Sequence, residues 1–255
     1  MAQVGFLGTG AITVAMVEGL AGDGHSIMVS ERNAQNAAKL AERFDEVSVG
    51  SNADVVSASE ILVLGLMPEV ARDVLPTLPF RSGHRVISTV ADLSYDAVQV
   101  LCAPAADISL TIPLPSIAHG GSPLPVFPDT GAARALFAGK NPVIGVETEA
   151  GLRLYLGGCA TSLALIEQVL HTRDWLAEET GDPAGAETYL AALFASYFND
   201  VLASDTGRLD EIAQALSTTG GFNATVRDDM RGLGAPDALV AAIERLRPRL
   251  GLEPK

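Results

Sequence analysis

Residues 4–20 read Val-Gly-Phe-Leu-Gly-Thr-Gly-Ala-Ile-Thr-Val-Ala-Met-Val-Glu-Gly-Leu. A short apolar strand runs into Gly8-Thr9-Gly10, and a helical pattern starts at Ala11. Gly8 permits a tight turn, and Gly10 lets a backbone approach a pyrophosphate. A helix opening at Ala11 and Ile12 offers free N–H groups and the positive end of its dipole to that anion. Thr13 stands where the third glycine of GxGxxG would be. The context compensates, because a strand precedes the turn, a helix follows it, and a second strand is expected at Ser26–Ser30. The stretch therefore predicts a dinucleotide held at Gly8, Thr9, Gly10, Ala11 and Ile12. The alternative is a glycine turn in a doubly wound fold that binds no nucleotide.

The remaining composition narrows the class. With 255 residues the chain is long enough for two domains. Hydrophobic residues make up 48% of it, yet no run approaches the ~18 apolar residues of a membrane span. The first strand begins at residue 4, so no signal or transit peptide is expected. Cys102 and Cys159 are isolated, which fits a reducing cytoplasm. The net charge of −14 disfavours nucleic acid and anionic membrane as partners. Any anionic ligand must be held by local donors against that field.

The first 147 residues alternate strand and helix signals, which predicts a Rossmann-type, doubly wound, mostly parallel sheet. Strands are expected at 4–7, 26–30, 47–49, 60–66, 85–88, 106–111 and 143–146. Helices are expected at 11–21, 34–44 with Asn33 as N-cap, 68–75 and 93–101, with a turn or short helix at 52–57. A loop with five prolines fills 112–128. Residues 148–255 contain no good strand candidate and predict an all-helical domain. A long helix over 149–179 is loosened at Gly157-Gly158 and broken by Gly181-Asp182-Pro183. The next, 184–204, is apolar well beyond one face, and a helix of that kind must be covered on several sides. A subunit interface, hence at least a homodimer, is the expectation.

Two further places carry candidate chemistry. Strand two ends in Ser30-Glu31-Arg32-Asn33, about twenty residues after Gly10, where the adenosine ribose is met. An acidic residue there suits the ribose hydroxyl of NAD, whereas Ser30 with Arg32 suits the 2′-phosphate of NADP. NADP is favoured, with NAD as the alternative. In the helical half, Ser217-Thr218-Thr219-Gly220-Gly221-Phe222-Asn223 puts hydroxyls and glycines ahead of a helix. Such a segment forms either a nest of N–H groups for a carboxylate or a plain helix-to-helix turn.

The chain as a whole resembles the pyrroline-5-carboxylate reductase family. Gly5-Phe6-Leu7-Gly8-Thr9-Gly10-Ala11-Ile12 looks like that family's nucleotide turn. Leu64-Gly65-Leu66-Met67-Pro68-Glu69 stands in place of its Ala-Val-Lys-Pro-Gln segment, so Leu66, Met67 and Pro68 are expected beside the cofactor. Ser217-Thr218-Thr219-Gly220-Gly221 resembles its Thr-Ser-Pro-Gly-Gly substrate loop. The resemblance implies NADPH-dependent reduction of a small cyclic imine, 1-pyrroline-5-carboxylate to proline, by interlocked dimers in the cytoplasm. It implies Thr218 and Asn223 as catalytic groups, with Thr219, Gly220, Gly221 and Phe222 holding the imino acid. Departures touch the substrate side: Leu114 replaces the family's Asn, Thr219 its loop proline, and Gly157–Ser162 only faintly echoes its Ser-Gly-Ser-Gly-Pro-Ala-Tyr element.

Two rivals remain. A β-hydroxyacid dehydrogenase shares the architecture but needs a lysine in its helical domain, and the only lysines are Lys39, Lys140 and Lys255. A non-catalytic NADP-binding sensor on the same scaffold needs no intact substrate loop. No spacing of His, Cys, Asp or Glu suggests a metal site.

Overall fold

A computed structural model describes residues 1–203 and 207–253. The central element is an eight-stranded sheet of order β3-β2-β1-β4-β5-β6-β7-β8. Its strands are β1 Gln3–Leu7, β2 Ser26–Ser30, β3 Val47–Gly50, β4 Ile61–Leu64, β5 Arg85–Ser88, β6 Asp107–Thr111, β7 Leu124–Phe127 and β8 Val143–Gly145. All neighbours run parallel except β6 and β7. The register places Phe6 of β1 beside Val29 of β2 and Val63 of β4.

The parallel strands are apolar because helices cover both faces of the sheet. In β4 all four residues, Ile-Leu-Val-Leu, are buried, and each such side chain contributes about 1.5–3 kcal/mol when fully removed from water. On one face, Val4, Phe6 and Val63 meet α1 Ala11–Leu20, α2 Ala34–Arg43 and α6 Ala132–Phe137. On the other, Leu7, Leu62 and Leu64 meet α3 Asn52–Ala58, α4 Pro68–Val74 and α5 Tyr95–Leu101.

The first compact unit is Met1–Tyr155 and the second Leu156–Lys255. The division thus falls inside α7, Glu149–Cys159, rather than before it. The first turns of α7 belong to the sheet's own core: Leu152 is buried there, and the Glu149 carboxylate accepts the Tyr95 N–H at 3.2 Å.

Two stretches depart from expectation in the first unit. The proline-rich segment is not all loop, since it holds a 3-10 turn, Pro115–His119, and strand β7. Pro125 lacks an N–H yet sits in β7, and its carbonyl accepts the Thr111 hydroxyl at 2.7 Å. Helix α6, started by left-handed Gly131, carries no sequence signal strong enough to separate it from the flanking turns.

The second unit holds helices and turns and no strand among its described residues. It comprises the end of α7, α8 Ser162–Thr180, α9 Pro183–Leu202, α10 Arg208–Ala215, α11 Phe222–Gly232 and α12 Ala235–Glu244. The expected end of the α9 helix, Ser204, lies outside the described residues, as does Lys255. The expected single helix over 149–179 is two, and the break follows Cys159 instead of falling at Gly157-Gly158. Here the Thr161 and Ser162 hydroxyls donate to the Gly158 and Cys159 carbonyls, both at 2.8 Å, in competition with the helical ladder. Gly181 in the left-handed region ends α8, and Asp182 caps α9 by accepting the Gly185 N–H at 2.9 Å.

Candidate nucleotide and substrate sites

The nucleotide turn is assembled at the carboxyl edge of the sheet, where strand order reverses between β1 and β4. That is where open α/β sheets hold ligands. Gly8 has φ +94°, and a Cβ there would collide with the Gly65 carbonyl oxygen. The Gly8 N–H donates to the Ser30 Oγ at 2.8 Å. Asn36 Nδ2 donates to the Thr9 carbonyl at 2.8 Å, and the Asn33 side chain accepts the Asn36 N–H at 3.2 Å. The β1–α1 turn is thereby fastened to the β2–α2 turn on both sides.

Gly10 is exposed and stands at the N-cap of α1 with no side-chain cap, and the first turn carries no acidic residue. The N–H groups of Ala11, Ile12 and Thr13 have no partner within the helix. Together with the helix dipole they form a cradle suited to a pyrophosphate. Leu66 packs beside Gly8, and Met67, 68% exposed, precedes Pro68 at the start of α4. The expected cofactor residues Gly8, Thr9, Gly10, Ala11, Ile12 and Leu66 therefore converge.

Thr13 has a structural counterpart. It is buried, and a Cβ on Gly65 would run into its Oγ1. The close approach normally allowed by a third glycine on the helix is allowed here by a glycine following β4 instead.

Ser30 and Arg32 occupy different environments. Ser30 is fully buried and engaged with Gly8, so its first task is to hold the turn. Glu31 and Arg32 are exposed, and Arg32 has no ion pair among the described residues. Asn36, which secures Thr9, was not expected from sequence; the Asn-x-x-Asn spacing at the start of α2 was its only signal.

The second site lies in the helical unit. Thr218 to Gly221 form a turn in which the Gly221 N–H donates to the Thr218 carbonyl at 2.9 Å, with Gly220 at φ +72°. Helix α11 starts at Phe222, inside the segment expected to precede it, with Gly221 as an N-cap that supplies no side chain. The N–H groups of Phe222, Asn223 and Ala224 are consequently without helical partners. Thr218, Thr219, Gly220, Phe222 and Asn223 are all exposed. The substrate residues expected from sequence are thus gathered on one turn, with hydroxyls and N–H groups together.

Other reactive groups are poorly placed for chemistry. Burial pushes the Cys102 thiol up to about 12, which removes it as a nucleophile. His84 is buried, and desolvation with the nearby Arg81 charge lowers its pKa. Lys140 is an ion-pair partner of Asp23 at 2.7 Å and donates to the Gly19 carbonyl at the end of α1.

Residues 3–92 match the sequence-family model described as NADP oxidoreductase coenzyme F420-dependent. No curated protein matches the sequence. A pyrroline-5-carboxylate reductase from Coxiella burnetii superposes with a TM-score of 0.83 at 16% identity, over 98% of this chain and 97% of that one. The Plasmodium falciparum pyrroline carboxylate reductase with NADP bound gives 0.76 at 14%, over 98% and 97%. An imine reductase from Aspergillus terreus in complex with NADPH4 and dibenz[c,e]azepine gives 0.59 at 18%, over 99% and 88%. The nucleotide-binding segment is therefore similar in sequence to NADP-dependent oxidoreductases, and the chain from end to end has the fold of pyrroline-5-carboxylate reductases.

Proposed function

We propose that the protein is an NADPH-dependent reductase of a small cyclic imine, with 1-pyrroline-5-carboxylate, reduced to proline, as the first candidate. The observation that carries this reading is the turn at Thr218–Gly221 opening α11, a hydroxyl beside unpartnered N–H groups. The cradle at Gly8–Ile12 holds the pyrophosphate, and exposed Arg32 takes the ribose 2′-phosphate in preference to the ribose hydroxyl of NAD. NADPH, when bound there, would supply the hydride that reduces the imine carbon. The chain's own task is alignment and polarisation. The N–H groups of Phe222–Ala224 hold the substrate carboxylate, and the Thr218 hydroxyl hydrogen-bonds the imine nitrogen or that carboxylate. Asn223 supports the same group. A protonated iminium needs no strong base, which suits a turn lined by hydroxyls and amides.

The dehydrogenase alternative is disfavoured by the lysines. Lys140 is committed to Asp23 and Gly19, and Lys39 stands on exposed α2 of the first unit. The helices of the second unit support a homodimer. In α8 none of 19 residues is buried, with Leu163 and Trp175 67% and 62% exposed, and in α9 Phe198 is 55% exposed. Large apolar side chains in that number need cover, and a second copy of a cytoplasmic chain provides it.

The test is NADPH oxidation against 1-pyrroline-5-carboxylate, other cyclic imines and β-hydroxyacids in the reverse direction. Imines alone are expected to turn over. Thr218→Val should lower kcat/KM by roughly ten- to a hundredfold, with NADPH affinity nearly unchanged. A protein that binds NADPH and reduces no imine would be the non-catalytic sensor instead.

A further inference from the structure

The end of α10 and the face of α11 enclose a groove of about 370 Å³, lined by Ala213, Gln214, Leu216, Ser217, Asn223, Arg227 and Arg231. Its size is in the range of small-molecule clefts. Asn223, Arg227 and Arg231 recur at intervals of four and so share one face of α11. The lining contains two arginines and no carboxylate, in a chain whose net charge is −14. The Asp228 carboxylate, outside this lining, already pairs with Arg227 and feels the Arg231 charge, so what the two guanidiniums offer the groove is their remaining N–H donors.

Arg227 is held in place. Its Nη1 donates to the Ser217 Oγ at 2.6 Å and its Nε to the Asp228 Oδ1 at 2.8 Å. Ser217 in turn donates to the Ala213 carbonyl at 2.6 Å. A guanidinium has five N–H donors. Two are used, so the remaining three, including both on Nη2, have no partner among the described residues. Ser217 directly precedes Thr218, so this fork is anchored at the base of the substrate turn.

We propose that Arg227 reaches from this groove to the substrate carboxylate held at the start of α11, sharing it with the N–H groups there and flanked by Arg231 and Asn223, and so selects imines that carry a carboxylate over neutral imines. The assignment rests on the imine-reductase reading and adds to it a residue that recognises the carboxylate. Guanidinium geometry matches a carboxylate in a way that neither an amide nor an ammonium can.

The test compares 1-pyrroline-5-carboxylate with 1-pyrroline, which lacks the carboxylate, in wild type, Arg227→Gln and Arg227→Lys. Arg227→Gln is expected to lower kcat/KM for the carboxylated imine by about tenfold or more, mainly through KM. The value for 1-pyrroline should fall far less, and Arg227→Lys should recover only part of the loss. Equal losses for both imines, or none for either, would overturn the assignment. Should wild type reduce neither imine, the enzymatic reading fails on its own. The groove is then decided by calorimetric titration of the NADP-loaded protein with L-proline and pyrrolidine. L-proline binding that weakens about tenfold in Arg227→Gln supports the site. Equal binding of the two probes, or none, refutes it.

Discussion

Ser30 and Arg32 stand two residues apart at the end of β2, and their burial separates their roles. Replacing Ser30 by Ala leaves the Gly8 N–H without its buried acceptor, at a cost of about 1–3 kcal/mol. Since Gly8 belongs to the turn that meets any dinucleotide, Ser30→Ala should weaken NADPH and NADH by similar factors. Arg32→Ala should raise the NADPH dissociation constant about tenfold or more and leave NADH nearly unchanged, because it removes one charge-assisted phosphate contact. Fluorescence titration of both variants with both cofactors checks the pair. Selective loss of NADPH in Ser30→Ala would make Ser30 a phosphate ligand. Equal wild-type affinity for the two cofactors would assign the ribose to Glu31.

At the scale of elements, the contact between α1 and the end of β4 replaces a missing glycine. Gly65→Ala would drive a methyl into Thr13 and should destabilise the protein by about 1–3 kcal/mol. Thr13→Gly should restore much of that loss when combined with it, although a mid-helix glycine itself costs about 1 kcal/mol. Urea denaturation of the single and double variants measures the coupling, and strict additivity would mean that the two residues do not share this space. Which elements were legible in the sequence follows from similar local causes. Apolar runs such as Ile61–Leu64 and the Asn33 cap are local signals, and those elements stand where expected. Strand β7 has no local signal because Pro123, Pro125 and Pro128 read as loop, whereas the strand is set by its pairing with β6 and β8. The start of α11 has no local signal because Gly221 caps with its backbone alone, and the groove lined by Arg227 has none because it forms against the neighbouring end of α10. Both are packing facts with no signature in local composition.

For the whole molecule, the exposed apolar side chains of α8 and α9 predict association. Sedimentation at micromolar concentration should return roughly twice the 26.4 kDa chain mass or more. A species at 26.4 kDa would leave Trp175 and Phe198 facing water and contradict the interface. The assembly matters less to the account than the reaction. The most direct measurement supplies NADPH deuterated at the transferred C4 position together with 1-pyrroline-5-carboxylate and follows the label by mass spectrometry and NMR. Proline carrying one deuterium on the former imine carbon is the expected product. Unlabelled proline, or labelled NADPH that persists beside unreacted imine, would contradict it.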